Sequence, residues 1–113
     1  MALAPVAAIP VWVPFLAAVV TLDLIADVIS KEFSLHGGSW RMALAASFVV
    51  AGNLTWQFML RTSGVGLARA GLLFAVGVAV GATLIGVFGY GEGLTDKQKI
   101  GAVLGVLVLL LLG

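Results

Sequence analysis

Four apolar segments separated by short polar breaks run along the chain of 113 residues. They cover about residues 11–30, 42–60, 66–88 and 96–112. A helix that crosses a membrane needs roughly 17–25 predominantly apolar residues, and each segment lies within that range. The pattern therefore predicts an all-α membrane protein, in which residues 1–113 form a single domain of four transmembrane helices.

Composition agrees with this prediction. The chain is 62% hydrophobic and only 10% charged, whereas a soluble domain carries about 25% charged residues. We expect a multi-pass protein of the cell (inner) membrane, with the lipid bilayer as its first partner. A net charge of +1 gives no basic surface for nucleic acid. With no cysteine and one histidine, no metal site or cofactor is predicted.

Asp23 is a charge within the first apolar segment, where an aspartate costs roughly 2.5–3.5 kcal/mol on insertion scales. It is either a transport or ligand-binding site, or a structural polar contact to Arg61 or Arg69. Asp23, Asp27 and Lys31 follow at four-residue intervals, which places them on one stripe of a helix. For Asp27 and Lys31 we expect an i,i+4 ion pair at the end of the span, because the acid precedes the base.

Polar and aromatic residues of the second and third segments are further candidates. Asn53, Thr55 and Gln57 need polar partners in lipid, as contacts between helices or as parts of a site. Trp56 and Phe74 are candidates to line a cavity, or they face lipid or the helix core.

Two features concern the helices themselves. The small-xxx-small pattern that allows close helix packing occurs twice, at Gly77 with Gly81 and at Gly101 with Gly105. Thr95 and Gln98 have the spacing of a capping box, which predicts the start of the fourth helix. The first break, residues 31–41, is expected to be a loop that contains His36.

Basic residues are unevenly shared between the breaks. The first and third breaks hold four, Lys31, Arg41, Lys97 and Lys99, and the second holds two, Arg61 and Arg69. The positive-inside rule favours cytoplasmic first and third loops. Because the difference is small, insertion in both orientations stays open.

Two stretches of the sequence are similar to a known family. The sequence ADVISKEFS at residues 26–34 ends the first span, and GEGLT at residues 91–95 leads into a last helix with regularly spaced glycines. With the short four-span length, these stretches resemble the small multidrug resistance family, four-span members of the drug/metabolite transporter superfamily related to EamA-type repeats. The resemblance covers about residues 15–113, and residues 82–113 are its most specific part.

The resemblance implies a role for Asp23. In the family, one membrane-embedded glutamate of helix one binds protons and cationic substrates competitively, and Asp23 falls at that position. Two aromatic positions of the family's third helix, a tyrosine and a tryptophan, hold Gly71 and Phe74 here. The substrate class therefore does not follow from the resemblance.

The resulting hypothesis is a proton-coupled transporter that exports a small cationic or polar metabolite by alternating access. Its proton- and substrate-binding residues would be Asp23, Asn53, Trp56 and Phe74. It would work as a homodimer, antiparallel in the membrane, or with a related four-span subunit. The alternatives are a non-enzymatic accessory or structural subunit of a larger membrane complex, and a half-transporter for a lipid-linked metabolite. An enzyme is not expected, because no nucleophile is paired with a base.

Overall fold

The computed structural model describes residues 10–112. It contains four helices, α1 (Trp12–His36), α2 (Ser39–Ser63), α3 (Leu67–Leu84) and α4 (Asp96–Leu112), and a π-helical turn (Ile85–Gly89) that continues α3. No strand occurs within residues 10–112. The predicted all-α class is confirmed for this part of the chain.

The first connection is shorter than the predicted loop. α1 continues through the polar residues beyond residue 30 and ends at His36, so the histidine is helical. Only Gly37 and Gly38 separate α1 from α2, with φ of 70° and 90°. A positive φ suits glycine and stops a helix. The helix therefore ends at the first residues that adopt this conformation, and not where the polar residues begin.

Three of the helical segments in the described part of the chain are long and apolar enough to cross a membrane: α1, α2 and Leu67–Gly89. At 1.5 Å per residue, a helix of 25 residues is about 37 Å long, compared with a hydrocarbon core of about 30 Å. α4 has 17 residues and by the same measure is about 25 Å long. These helices are compatible with a membrane protein.

α1 packs against both α2 and α3, and α3 also packs against α4, so α1 and α3 are the two helices that connect the bundle. Glycines make these contacts close. A Cβ on Gly77 would lie 3.6 Å from Val20 Cγ2, and one on Gly81 would lie 2.7 Å from Leu24 Cδ1. α1 and α3 can therefore pack closely, because the side chains of Val20 and Leu24 lie directly against the backbone of α3 at the two glycines.

The last helix approaches α3 in the same way at one of its two predicted glycines. A Cβ on Gly105 would lie 3.4 Å from Val80 Cγ2, whereas one on Gly101 would meet nothing within 4 Å. Three of the four glycines singled out in the sequence thus lie at helix contacts, and Gly101 does not.

The predicted capping box at the start of α4 is confirmed. The Gln98 backbone N–H donates to Thr95 Oγ1 at 3.2 Å, and the Thr95 backbone N–H donates to Gln98 Oε1 at 3.0 Å. These reciprocal bonds satisfy two amides that a helix start leaves without partners.

The buried core lies towards the starts of α1 and α3 and the end of α2. It consists of Leu16, Met59, Ala70 and Leu73, and Trp56 and Phe74 are among the side chains that pack against it. The core thereby supports the aromatic side of the cavity described next.

Candidate functional site

A cavity of about 260 Å³ opens between α1, α2 and α3 around Asp23. Its lining residues come from all three helices: Val19, Asp23, Val49, Gly52, Asn53, Trp56, Gly71 and Phe74. The structure therefore brings together the four residues that the sequence singles out for proton and substrate binding. They are separated by up to about fifty positions along the chain, so the fold alone makes them neighbours.

The shape of the cavity follows from small residues and an aromatic pair. Gly52 brings α2 close to α1, because a Cβ there would lie 3.6 Å from Leu22 Cβ. Gly71 leaves open space, since a Cβ there would meet nothing within 4 Å. The rings of Trp56 and Phe74 have centroids 5.5 Å apart and planes at 58°. This tilted pair gives the cavity an aromatic wall, a surface that attracts cations.

The carboxylate of Asp23 is partly buried and forms no hydrogen bond or ion pair within residues 10–112. Neither arginine considered as its structural partner reaches it. Arg69 Nε donates to the Leu112 carbonyl at 3.2 Å, and its guanidinium lies 4.9 Å from the Trp12 ring centroid. Arg61 is exposed near the end of α2. The carboxylate is thus available to a proton or a cation.

The three polar residues singled out in the middle of α2 differ in their surroundings. Asn53 lines the cavity. Thr55 satisfies its hydroxyl within the helix by donating to the Ala51 carbonyl at 2.9 Å. Gln57 is exposed and has no hydrogen-bond partner in the described part of the chain. Of the three, only Asn53 belongs to the candidate site.

A second group of polar side chains, the helix-end cluster, joins the end of α1 to the turn after α3. It consists of Lys31, Glu32, His36, Tyr90 and Glu92. Lys31 Nζ lies 3.1 Å from Glu92 Oε2. The Tyr90 hydroxyl donates to Glu32 Oε1 at 2.8 Å, and His36 Nε2 lies 3.4 Å from Glu32 Oε2. These contacts hold the two parts of the chain together at one end of the bundle.

The cluster changes the interpretation of Lys31. The structure pairs it with Glu92 rather than with Asp27, and its Nζ lies 5.6 Å from the Tyr90 ring centroid. Glu92 is fixed on this side because its backbone N–H donates to the Gly86 carbonyl at 3.0 Å. Its carboxylate also lies against Gly86, where a Cβ would be only 2.6 Å from Glu92 Oε1. Asp27 forms no ion pair among residues 10–112.

The sequence does not predict that the side chains of the helix-end cluster lie together. Glu32 and Tyr90 are 58 positions apart, and no local spacing connects them. A weak signal exists in the glycines around Tyr90, since Gly91 has a φ of 67° and turns the chain back towards α1. Among the described residues, no three His, Asp or Glu side chains are placed to share a metal ion.

The hydrogen bond to Glu32 raises the pKa of Tyr90 above its ordinary value of about 10, with further contributions from desolvation and the nearby carboxylates. Tyr90 is the only tyrosine, so tyrosinate absorbance reports this group alone. We expect Glu32→Gln to lower the titration midpoint. Because the folded-state pKa is raised, the stabilising contribution is complete below about pH 10 and is lost as the pH rises further.

Asp96→Asn is the matched control for that titration. It also removes one acidic side chain, but Asp96 is exposed and its contact is with Lys99 at 4.0 Å, outside the cluster. The Tyr90 midpoint should stay unchanged in this variant. Equal midpoints in wild type and Glu32→Gln would contradict the hydrogen bond.

Comparison with known proteins gives no assignment: no protein-family model matches the chain, and no curated protein or solved structure matches it significantly. The resemblance to the small multidrug resistance family rests on the sequence stretches alone and stays a prediction.

Proposed function

We propose that the protein is a membrane-embedded, proton-coupled exporter of a small organic cation that works by alternating access. The observation that carries the proposal is the cavity of about 260 Å³ that joins Asp23 to Asn53, Trp56 and Phe74. The resemblance to the small multidrug resistance family, in which an acid of helix one has this role, supports the same function.

The lining suits a cation with apolar substituents. An ionised Asp23 supplies the opposite charge, and the faces of Trp56 and Phe74 attract cations through the negative potential above their rings. Asn53 adds an amide that can donate or accept a hydrogen bond. Because no arginine or lysine reaches Asp23 within residues 10–112, no fixed positive charge competes with the ligand.

The single carboxylate of Asp23 explains how proton flux would be coupled to cation flux. A proton and a cation cannot both neutralise Asp23, so binding of one favours release of the other. If the site faces the two sides of the membrane in turn, the two fluxes run in opposite directions. The minimal antiporter needs only an acid and a bundle with two conformations.

We propose two copies of the chain as the working unit, antiparallel in the membrane, or one copy with a related four-span subunit. α4 has no buried side chain within the described residues, and its apolar surface includes Val103, Leu107, Leu110 and Leu111. A single bundle of four helices also encloses too little space for a complete path, and transporters commonly place their sites between two repeats.

The exposed α4 also favours a second candidate, an accessory subunit that packs against a larger membrane complex. The mass of the gently solubilised native protein distinguishes the two. A stable species of two four-span chains supports the exporter, whereas a larger complex with other subunits supports the accessory role.

Transport in proteoliposomes tests the proposed function, with tetraethylammonium as the probe cation. Vesicles with an acidic interior should accumulate external tetraethylammonium as protons leave, and nigericin, which collapses the pH gradient, should stop the accumulation. Vesicles without protein provide the background. Uptake that equals this background, or that persists without the gradient, would overturn the proposal.

A further inference from the structure

A second cleft, of about 130 Å³, lies between α1 and the end of α3. Four of its lining residues are ionisable: Asp27, Lys31, Tyr90 and Glu92. Its remaining walls include Gly86 of the π-helical turn. The cleft therefore adjoins the helix-end cluster, and it shares helix α1 with the Asp23 cavity.

The positions of the acids along α1 place Asp27 between the Asp23 cavity and the helix-end cluster. A step of four residues advances about 6 Å along a helix and turns it by about 40°. Asp23 lies where α1 faces α2 and α3 together, and one turn later Asp27 and then Lys31 face the end of α3. A line of ionisable side chains thus leads from the cavity to the end of the helix.

Asp27 has no structural partner that accounts for it. It forms no hydrogen bond or ion pair within residues 10–112, since Lys31 Nζ is paired with Glu92 at 3.1 Å. Asp27 is exposed and lies three residues before the end of the apolar segment 11–30. Acids within membrane spans face water-filled cavities or the bundle interior and mark proton paths. The cleft, of about 130 Å³ and lined by four ionisable side chains, is large and polar enough to hold water.

We propose that Asp27 and this cleft form the route by which protons reach and leave Asp23 from the side on which α1 ends. The inference rests on the proposed function. A proton from cleft water binds the Asp27 carboxylate and passes, directly or through one water, to Asp23, and Asp27 returns to the carboxylate. In the reverse direction Asp23 loses its proton to Asp27 and then to water, and no further reactant is needed.

The charges around Asp27 suit this transfer. Asp23 and Lys31 flank it on α1, and Tyr90 and Glu92 face it from the turn after α3. Lys31 and Glu92 are paired, so their opposite charges largely cancel at Asp27. No ion-pair partner therefore holds Asp27 in its charged form or in its protonated form, so that it can exchange protons.

Two transport measurements distinguish a proton-transfer role of Asp27 from a structural role. Exchange of tetraethylammonium for tetraethylammonium needs the Asp23 cavity but no net proton transfer, whereas exchange for protons needs both. We expect Asp27→Asn to leave the self-exchange at the wild-type rate and to slow the proton-coupled exchange about 100-fold, the lower end of what a positioned proton-transfer group contributes. Asp27→Glu should restore most of the coupled rate.

The control variant is Asp96→Asn, which removes an exposed acid on α4 and should change neither rate. Wild-type coupled exchange in Asp27→Asn would overturn the route, and so would equal slowing of both exchanges, which indicates a structural role. If the wild-type protein performs neither exchange, the proposed function itself fails. The two failures are therefore distinguishable.

Discussion

Gradient-driven uptake of tetraethylammonium is expected to fall to the protein-free background in the variant Asp23→Asn. Asparagine has nearly the same shape, but it neither releases a proton nor carries a charge. Two unit charges 4 Å apart attract each other by about 4 kcal/mol at an effective dielectric constant near 20. Since 1.4 kcal/mol corresponds to a tenfold change in affinity, the affinity of the site for the cation should fall about a thousandfold.

Two variants control this experiment. Asp96→Asn should transport normally, because Asp96 is exposed and far along the chain from the cavity residues. Asp23→Glu should keep proton-coupled uptake with a changed tetraethylammonium affinity, since its carboxylate extends one methylene further into the cavity. If Asp23→Asn transports as fast as wild type, Asp23 is not the coupling site.

Four of the eight residues that line the cavity could be predicted from the sequence. Asp23 is expensive in lipid, Asn53 is a polar residue in a span, and Trp56 and Phe74 are large aromatic residues near them in the expected bundle. Such exceptions are visible in the sequence without knowledge of how the helices pack. The contribution of Val19, Val49 and Gly52 to the lining does not follow from the sequence, because it depends on the rotation of each helix about its axis.

The helix ends show a different limit of sequence reasoning. The polar residues between Lys31 and His36 predict a loop, yet this stretch belongs to α1. Polarity marks where a segment leaves lipid, whereas the helix ends where the backbone changes, at Gly37. Lysine, glutamate and leucine are good helix formers, so the two boundaries need not coincide.

The partner of Lys31 illustrates why long-range contacts were missed. The i,i+4 spacing places Asp27 on the same face of the helix as Lys31 and predicts their pairing. The turn after the π-helical segment instead brings Glu92 within 3.1 Å. Nothing local in the sequence specifies that five residues after α3 adopt the wider π-helical turn. Yet this turn and the positive φ of Gly91 bring Glu92 to α1.

The substitution with the largest expected effect on stability is Met59→Ala. Met59 is completely buried, and it is the largest side chain of the described residues with essentially no exposure. Truncating a core methionine to alanine costs about 2–5 kcal/mol in water-soluble proteins. In a membrane bundle the unfolded helices are surrounded by lipid rather than water, so burying an apolar side chain gains little hydrophobic free energy. The loss of stability then comes mainly from the cavity that the truncation leaves. We therefore expect the lower end of that range.

Met42→Ala is the matched control, because it makes the same chemical change in the same helix at a side chain that is 54% exposed. In mixed micelles, unfolding by sodium dodecyl sulfate followed by circular dichroism should show Met59→Ala destabilised by about 2 kcal/mol, roughly 30-fold in the unfolding equilibrium. Met42→Ala should unfold like wild type. Because Trp56 and Phe74 pack against the same core, Met59→Ala should also weaken tetraethylammonium binding while Asp23 remains intact. Equal stabilities for the two variants would mean that Met59 does not anchor the helices that form the cavity.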